Sequence, residues 1–216
     1  MSQRPPVKPG EVAPNFRLPA VHRNDDVSLA DYRGQAVFLA IFLGLWCPFC
    51  RRNIVDLGFV REQLLACRIE TLAVVATDVE NARLYFKYRP TRVPIASDPD
   101  LVTHRAYGLP RPHVDDTLMN LMAETYINPT GELPAPVPAT EIGDILDRVQ
   151  NYQRTSADSR DLEKQWPMLR GQFLVDGEGI LRWVNIECAK EGLAGIGRFP
   201  TVDEILAATQ ELNLPQ

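Results

Sequence analysis

Two apolar stretches, each followed by an amphipathic segment, dominate the first half of the chain. Ala36–Leu43 is continuously apolar and Ile69–Ala76 nearly so, which is typical of strands buried on both faces of a sheet. Apolar residues then recur every three or four positions, which predicts one helix from Pro48 to about Cys67 and another over Val79–Tyr88. The order strand, helix, strand, helix predicts a layered α/β sandwich.

The second half of the chain predicts shorter elements and a late hairpin. The turn Asp176–Gly179, with the sequence DGEG, joins two apolar strands and suits a β-hairpin. Thr201 and Glu204 have the spacing of a capping box, so the last helix is expected to begin after Thr201. The predicted elements are a strand at 93–96, a helix over about Leu101–Tyr107, strands at Gln172–Val175 and Ile180–Ile186, and a helix over about Val202–Leu212.

Residues 109–169 interrupt this regular order. The segment is rich in proline and then contains a helical pattern whose apolar side chains share one face. These side chains belong to Ile142, Ile145, Leu146, Val149 and Tyr152. We interpret the segment as an insertion, with one or two helices of its own, in a single domain that spans residues 1–216. Residues 1–15, rich in proline and charge, are predicted to form an extended arm.

Composition and charge restrict the classes of function. With 23 Lys and Arg against 28 Asp and Glu, the net charge is −5 and no basic stripe is present, so we expect no nucleic-acid binding. No apolar run is long enough to cross a bilayer, and the N-terminal residues lack the apolar core of a secretory signal. We therefore expect a cytoplasmic protein that binds no membrane. In the cytosol a purely structural disulfide is unusual.

Two cysteines, Cys47 and Cys50, stand where the first predicted strand gives way to the first predicted helix. The unpaired N–H groups and the dipole of a helix N-terminus favour a thiolate at Cys47. Cys50 lies one helical turn further on, so a disulfide between the two needs only modest movement. A Cys-x-x-Cys pair at this junction of an α/β unit predicts redox chemistry.

The residues around this pair complete the predicted site. Pro48 suits a first helical position, where no N–H is needed. Trp46 and Phe49 provide an apolar surface that limits water. Arg51 and Arg52 add positive charge one turn away, which favours the thiolate, although both are equally typical of an exposed helix face.

Zinc ligation and inert core thiols are the two other interpretations of the cysteine pair. Zinc needs two further ligands, and the remaining cysteines and histidines form no second Cys-x-x-Cys or His-x-x-x-His pair. They are Cys67, Cys188, His22, His104 and His113. We therefore predict no metal and no prosthetic group. Cys67 or Cys188 is an alternative second resolving thiol.

Four stretches of the chain carry a family resemblance: Gly10–Pro19, Ser28–Phe42, Val93–Leu109 and Arg170–Val184. They resemble the corresponding segments of peroxiredoxins, the alkyl hydroperoxide reductase and thiol-specific antioxidant proteins. Together they cover most of the chain outside the insertion. The resemblance implies a thioredoxin-like three-layer sandwich, with a central mixed sheet flanked by helices and the insertion placed before the late hairpin.

The resemblance also implies roles for two residues. Cys47, followed by Pro48, falls where the family has its peroxidatic cysteine. Arg170 falls where the family has an arginine that stabilises the thiolate and orients the peroxide, which a guanidinium is chemically suited to do. The alternative for Arg170 is an ordinary surface charge at the start of a strand.

Departures from the family pattern concern the loop before Cys47 and the hairpin. Ala40 and Gly44 stand where the family has a proline and a threonine or serine. The hydroxyl that holds the peroxide is therefore absent, unless the Gly44 amide takes its place. Thioredoxin-like reductases carry a cis-proline that leads into the hairpin. The corresponding place here is near Gln172, so we expect this element to be missing.

These observations lead to three hypotheses of function. The first is a thiol-dependent peroxidase, in which Cys47 reduces a hydroperoxide and Cys50 resolves the sulfenic acid. The second is a thioredoxin-like thiol–disulfide oxidoreductase that uses the same pair. The third is a non-catalytic redox sensor or binding module whose interaction surface is the insertion. The four stretches that resemble peroxiredoxins, together with Arg170, favour the first hypothesis. The absence of a hydroxyl at Gly44 favours the second.

The partners implied by the resemblance are a small-molecule hydroperoxide or disulfide and an external thiol reductant, either thioredoxin-like or glutathione-like. Proteins of this family often form homodimers. The insertion is large enough to cover the contact surface that such dimers use, so the resemblance alone does not decide between a monomer and a homodimer.

Overall fold

A computed structural model describes residues 4–213 of the chain. Its strands are β1 (Arg17–Pro19), β2 (Asp26–Ser28), β3 (Ala36–Phe42), β4 (Ile69–Val75), β5 (Ile95–Ser97), β6 (Tyr126–Ile127), β7 (Val137–Pro138), β8 (Gly171–Val175) and β9 (Leu181–Ile186). Its α-helices are α1 (Pro48–Ala66), α2 (Val79–Tyr88), α3 (Val102–Ala106), α4 (Asp116–Glu124), α5 (Ile142–Val149), α6 (Ser156–Gln165) and α7 (Val202–Thr209). Short 3-10 helices lie at Leu29–Tyr32, Gly192–Gly195 and Gln210–Asn213.

A five-stranded mixed sheet in the order β5-β4-β3-β8-β9 forms the centre of the fold. β3 and β4 are parallel, with Phe42 opposite Val75, and β8 runs antiparallel to β3, with Gly171 opposite Ile41. The parallel pairs need the crossover helices α1 and α2, whereas β8 and β9 form the late hairpin. This arrangement confirms the predicted α/β sandwich with a central mixed sheet.

Burial on both faces of the sheet explains the unbroken apolar sequence of β3. Because successive side chains of a strand point to opposite faces, β3 contributes to two cores. Phe38 and Phe42 pack with α1, α2 and α7 on one face. Leu39 and Ile41 pack on the other face with Tyr107 and with the predicted N-terminal arm, whose described part lies along the sheet. Three layers result.

Most predicted element boundaries agree with the structure to within a few residues. α2 spans the predicted Val79–Tyr88, and α1 begins at Pro48. The capping box of Thr201 and Glu204 is present, although α7 ends earlier than predicted and continues as a 3-10 turn. No helix within residues 4–213 has both the length and the apolar composition of a membrane span. The cytoplasmic location stays a prediction.

Residues 109–169 contain three helices, α4, α5 and α6, and the short β6–β7 pair, which is more than predicted. They form a small core of their own from Ile127, Leu133, Ala139, Ile142 and Leu146. Of the side chains predicted to share one helical face, Ile142, Ile145, Leu146 and Val149 belong to α5, with Val149 exposed at its last residue, whereas Tyr152 lies beyond the end of the helix. That this segment is an insertion within a single domain stays a prediction.

Candidate active site

Cys47 caps the N-terminus of α1. β3 ends at Phe42, and the loop 43–46 leads to Cys47, whose N–H donates to the Gly44 carbonyl over 3.0 Å. The Cys47 sulfur accepts a hydrogen bond from the Cys50 amide over 3.3 Å, where a hydroxyl or carboxylate oxygen usually caps a helix. Sulfur thus lies where the partial positive charge of the helix is concentrated.

The two thiols differ in their tendency to ionise. Both are free and buried, with Cys47 2% exposed and Cys50 0% exposed. Burial raises the pKa of Cys47, but hydrogen bonds from Cys50 and the charge of Arg170 together bring it below its ordinary value. Burial and the adjacent Cys47 sulfur hold the pKa of Cys50 well above its ordinary value. Cys47 is therefore the more readily ionised thiol of the pair, and the Cys50 thiol is its hydrogen-bond donor.

Arg170 lies at the thiols rather than on the surface, which excludes the alternative of a surface charge. The residue is only 1% exposed. Its Nη1 donates to Asn53 Oδ1 over 2.7 Å and lies 3.9 Å from the Cys50 sulfur. The guanidinium carbon lies 5.7 Å from the centre of the Phe49 ring. A cation so placed stabilises a negative charge at the cysteine pair.

Glu187, which was not predicted as a site residue, orients Arg170. Its Oε1 accepts from Arg170 Nη2 over 2.5 Å, and its Oε2 accepts from Nε over 3.1 Å. Oε1 also accepts from the Gly197 amide over 2.7 Å. The hairpin contained a usable signal. Gly171 pairs with Ile186, so the preceding Arg170 and the following Glu187 come together where β8 begins and β9 ends.

Gln165, at the end of α6, is a second residue that the sequence analysis missed. Its Oε1 accepts from the Gly44 amide over 2.6 Å and from Trp46 Nε1 over 2.7 Å, and its Nε2 donates to the Ala76 carbonyl. The Gly44 amide is therefore engaged and does not replace the missing hydroxyl as a donor to peroxide. A Cβ at Gly44 would lie 2.7 Å from Trp46 Cδ1, which explains why no threonine stands there.

Arg51 has a different role from the one predicted. Its Nη1 donates to the carbonyls of Leu45 and Trp46 over 2.8 and 3.1 Å, and its Nη2 forms an ion pair of 2.6 Å with Asp147 on α5. Its charge is thus matched by Asp147, and Arg170 is the cation that lowers the pKa of Cys47. Arg51 joins the loop 43–46 to the residues 109–169.

A cis peptide bond joins Trp166 and Pro167. The expectation that no cis-proline precedes the late hairpin was therefore wrong. The corresponding position was expected near Gln172, whereas the cis-proline lies five residues earlier, directly after α6. Both residues of the cis bond line the same cavity as Cys47.

This cavity, of about 380 Å³, lies in front of Cys47. Five of the predicted site residues line it: Trp46, Cys47, Pro48, Phe49 and Arg170. The predicted site residues outside its wall are Gly44, Cys50, Arg51 and Arg52. The rest of the wall comes largely from α4, α5, α6 and the segment 166–169. A substrate that reaches Cys47 through this cavity therefore passes under the insertion.

The two remaining cysteines lie in different surroundings. Cys188 follows β9 and lines the cavity, and burial and Glu187 raise its pKa to about 12. Cys67 is exposed at the C-terminal end of the 19-residue helix α1, about 30 Å along the axis from Cys47. The structure therefore places only Cys188 near the predicted site. Within residues 4–213, no group of three or more His, Cys, Asp or Glu side chains is placed to hold a metal ion.

Known proteins of related sequence are similar to most of this chain. A model of the AhpC/TSA family matches residues 9–184. Two Mycobacterium tuberculosis proteins that are named as peroxiredoxins, one from strain CDC 1551 and one from strain H37Rv, are similar as well. Each is 31% identical over 108 residues, which make up 50% of this chain and 68% of theirs.

Solved structures share the fold. Peroxidoxin BcpB from Mycobacterium tuberculosis has a TM-score of 0.57 at 13% identity, covering 96% of this chain and 97% of its own. A reduced 2-Cys peroxiredoxin from Plasmodium vivax has a TM-score of 0.58 at 16% identity, covering 95% of this chain and 81% of its own. A Chlorobium tepidum protein, described as a thiol:disulfide interchange protein DsbE, has a TM-score of 0.54 at 18% identity, covering 94% of this chain and 99% of its own. The predicted thioredoxin-like sandwich is confirmed.

Proposed function

Because the chain belongs to the AhpC/TSA family of peroxiredoxin-like thiol oxidoreductases, we propose that it reduces hydroperoxides through Cys47, with Cys50 as the resolving thiol. One observation carries this assignment. The Cys47 sulfur lies at the N-terminus of α1, accepts the Cys50 amide over 3.3 Å and shares a cavity wall with Arg170. These groups favour a thiolate at a position that a small molecule can approach.

In the first step, the Cys47 thiolate attacks the terminal oxygen of the hydroperoxide. A sulfur–oxygen bond forms and the oxygen–oxygen bond breaks. The remaining alkoxide, or hydroxide in the case of hydrogen peroxide, takes a proton and leaves as an alcohol or as water. Cys47 is oxidised to a sulfenic acid and the hydroperoxide is reduced. In this proposal Arg170 stabilises the thiolate and the negative charge that develops on oxygen.

In the second step, the Cys50 sulfur attacks the Cys47 sulfenic acid. A disulfide forms and water leaves, with the Cys50 proton ending on the departing oxygen. An external reductant, either one thioredoxin-like dithiol or two glutathione-like monothiols, then reduces the disulfide through a mixed disulfide and supplies two electrons and two protons. Cys50 starts as the protonated thiol of the pair, so the chemistry assigns each cysteine one role.

A second candidate function, thiol–disulfide exchange, is favoured by one observation. Gly44 carries no hydroxyl, and its amide already donates to Gln165, so this position offers no free donor to a peroxide oxygen. A disulfide substrate does not need such a donor. The same thiolate would then attack a sulfur instead of an oxygen, and the same Cys47–Cys50 disulfide would result.

Single-turnover kinetics of the fully reduced protein separate these functions. With hydrogen peroxide or cumene hydroperoxide, we expect a second-order rate constant well above that of free cysteine, measured through the change in tryptophan fluorescence. Intact mass after one equivalent should show a disulfide in the wild-type protein. In Cys50→Ser it should show one added oxygen at Cys47, and Cys47→Ser should not react.

Each alternative result identifies another function. A rate no faster than that of free cysteine, together with rapid reduction of a protein disulfide, assigns the site to thiol–disulfide exchange. A Cys47–Cys50 disulfide that forms slowly and turns over neither substrate assigns the protein to redox sensing. A Cys50→Ser protein that cycles normally makes Cys188, on the wall of the same cavity, the resolving thiol.

A further inference from the structure

The methionines of the chain, apart from Met1, all lie on the wall of the cavity in front of Cys47. They are Met119 and Met122 on α4, and Met168, which follows α6. Methionine has an unbranched, flexible side chain and a polarisable sulfur, so a surface built from it adapts to apolar ligands of different shapes. This concentration beside a nucleophilic thiol points to an apolar ligand.

α4 covers the cavity with one apolar face. Leu118, Met119 and Met122 are spaced so that they lie on the same side of the helix, and all three line the cavity. No residue of α4, which the structure describes in full, is buried, and Met119 is 38% exposed. Leu121, on the same helix, is 49% exposed, but unlike Met119 it is not part of the cavity wall. An apolar ligand in the cavity would cover apolar area that α4 leaves accessible.

The volume of the cavity suits an organic molecule. A water molecule takes about 30 Å³ of the liquid, and hydrogen peroxide is of comparable size, so either fills only a small part of the cavity. The cavity measures about 380 Å³. Sites for small organic molecules generally measure about 300 to 1,000 Å³ and combine apolar walls with a few polar groups. This cavity has both properties, with the Cys47 sulfur as one of its polar groups.

The charged groups on the wall already have partners of opposite charge. Arg154 forms ion pairs with Asp144 at 3.2 Å and with Asp147 at 2.8 Å. Arg170 forms its ion pair with Glu187. Each of the two cations on the described part of the wall, Arg154 and Arg170, is therefore already neutralised by a carboxylate of the protein. The arrangement favours an uncharged ligand, because a buried charge without a partner is costly.

We propose that the cavity binds the hydrocarbon group of bulky, uncharged organic hydroperoxides, and that Met119 and Met122 determine this specificity. The inference rests on the proposed function and deepens it by naming the residues that favour bulky hydroperoxides over hydrogen peroxide. With the hydrocarbon group against α4, the hydroperoxide group reaches Cys47, which takes its terminal oxygen. The oxygen–oxygen bond breaks, and the alcohol leaves after taking a proton from solvent. Hydrogen peroxide makes none of these apolar contacts and gains nothing from the cavity.

The double variant Met119→Gln/Met122→Gln tests the role of the two methionines. Glutamine is similar to methionine in length and helix propensity, so α4 keeps its helix while the wall becomes polar. We expect the ratio of the second-order rate constants, cumene hydroperoxide over hydrogen peroxide, to fall by about tenfold or more, because apolar contacts are lost. Stopped-flow measurement on the reduced full-length protein gives both constants.

Leu121→Gln is the matched control, since it makes the same chemical change on α4 outside the cavity. Its ratio should equal that of the wild-type protein. A double variant with the wild-type ratio, or a Leu121→Gln protein with an equally lowered ratio, overturns the inference and leaves the peroxidase proposal intact. If the wild-type protein reacts with neither peroxide faster than free cysteine, the proposed function fails and this inference fails with it.

A second measurement needs only the wild-type protein. Cumyl alcohol, the product formed from cumene hydroperoxide, should occupy the cavity and slow the reaction of Cys47 with hydrogen peroxide. The slowing should saturate as the alcohol concentration rises. Absence of any slowing overturns the inference, even if the double variant does not fold.

Discussion

Around Cys47, the groups that favour an ionised sulfur come from two directions. The Cys50 thiol and amide lie within the same helical turn, and the Arg170 guanidinium comes from the start of the late hairpin. Glu187 fixes this guanidinium through two hydrogen bonds but, as an anion, also raises the pKa of Cys47. The effect of Arg170 is the larger of the two, so the ion pair as a whole favours the thiolate.

The paired substitution Arg170→Met/Glu187→Gln is expected to raise the pKa of Cys47 and slow its reactions at neutral pH. Thiolate is present above the pKa and is lost as pH falls, and each pKa unit changes its fraction about tenfold in the region below the pKa. Arg170→Ala alone would also leave Glu187 buried without a partner, which costs about 3 to 5 kcal/mol of folding free energy. The pH profile of iodoacetamide alkylation, mapped to Cys47, measures the effect.

Arg52→Met provides the control for this experiment. Arg52 lies on the same helix but is partly exposed and paired with Asp56 over 3.0 Å. Its removal should leave the pH profile of Cys47 unchanged. If the paired substitution also leaves the profile unchanged, Arg170 is structural and does not stabilise the thiolate.

At the scale of elements, the insertion is fastened to the N-terminus of α1 by buried polar contacts. Arg51 on α1 and Asp147 on α5 form an ion pair of 2.6 Å, and Arg154 adds a second cation to Asp147 at 2.8 Å. The Tyr152 ring lies 3.8 Å from the Arg51 guanidinium. Because Arg51 also holds the carbonyls of the loop 43–46, α5 and the loop before Cys47 are linked.

Asp147→Ala is expected to cost about 3 to 5 kcal/mol of unfolding free energy, because it leaves Arg51 buried without its anion. The same change should increase the rate at which Cys47 is alkylated, since the insertion covers the cavity. Denaturant unfolding and mass-mapped alkylation measure the two effects.

Asp56→Ala is the control that separates the effect of burial from the effect of losing an ion pair. It removes the partner of Arg52, in an ion pair that is about one-third exposed. Exposed pairs of this kind contribute about 1 kcal/mol or less. Equal costs for the two variants would show that the Arg51–Asp147 pair does not anchor the insertion.

The sequence was sufficient for those parts of the site that depend on near neighbours. The apolar run of β3, the proline that begins α1 and the three-residue spacing of the cysteines are local signals, so their placement followed directly. Gln165 could not be found in this way, because it binds Gly44 from 121 positions away and only the packing of the insertion brings them together. Arg51 was misjudged for the same reason, since its partner Asp147 is 96 positions distant.

For the whole molecule, the central sheet leaves one imidazole fully buried. His104 on α3 has no hydrogen-bond partner among the described residues. Burial lowers its pKa from the ordinary 6.5 to about 4, against the attraction of Asp98 and with a small further lowering by Arg105. At pH values between these two pKa values, the unfolded chain therefore binds a proton at His104, and the folded chain does not.

We expect His104 to contribute about 3 kcal/mol to the pH dependence of folding. This stability is fully present above pH of about 6.5 and is lost as pH falls towards 4. His104→Leu removes the titrating group, so its unfolding free energy should fall less over this range than that of the wild-type protein. Urea unfolding at several pH values measures the difference, and parallel pH profiles would contradict the assignment.

The short distance between Cys50 and Cys47 also bears on how the protein withstands excess oxidant. Under the proposed function, the sulfenic acid and the thiol that removes it lie in the first turn of one helix, with the Cys50 amide 3.3 Å from the Cys47 sulfur. Their condensation therefore needs no second subunit. A second hydroperoxide must therefore compete with an intramolecular step, and irreversible conversion of Cys47 to a sulfinic acid becomes slow relative to turnover.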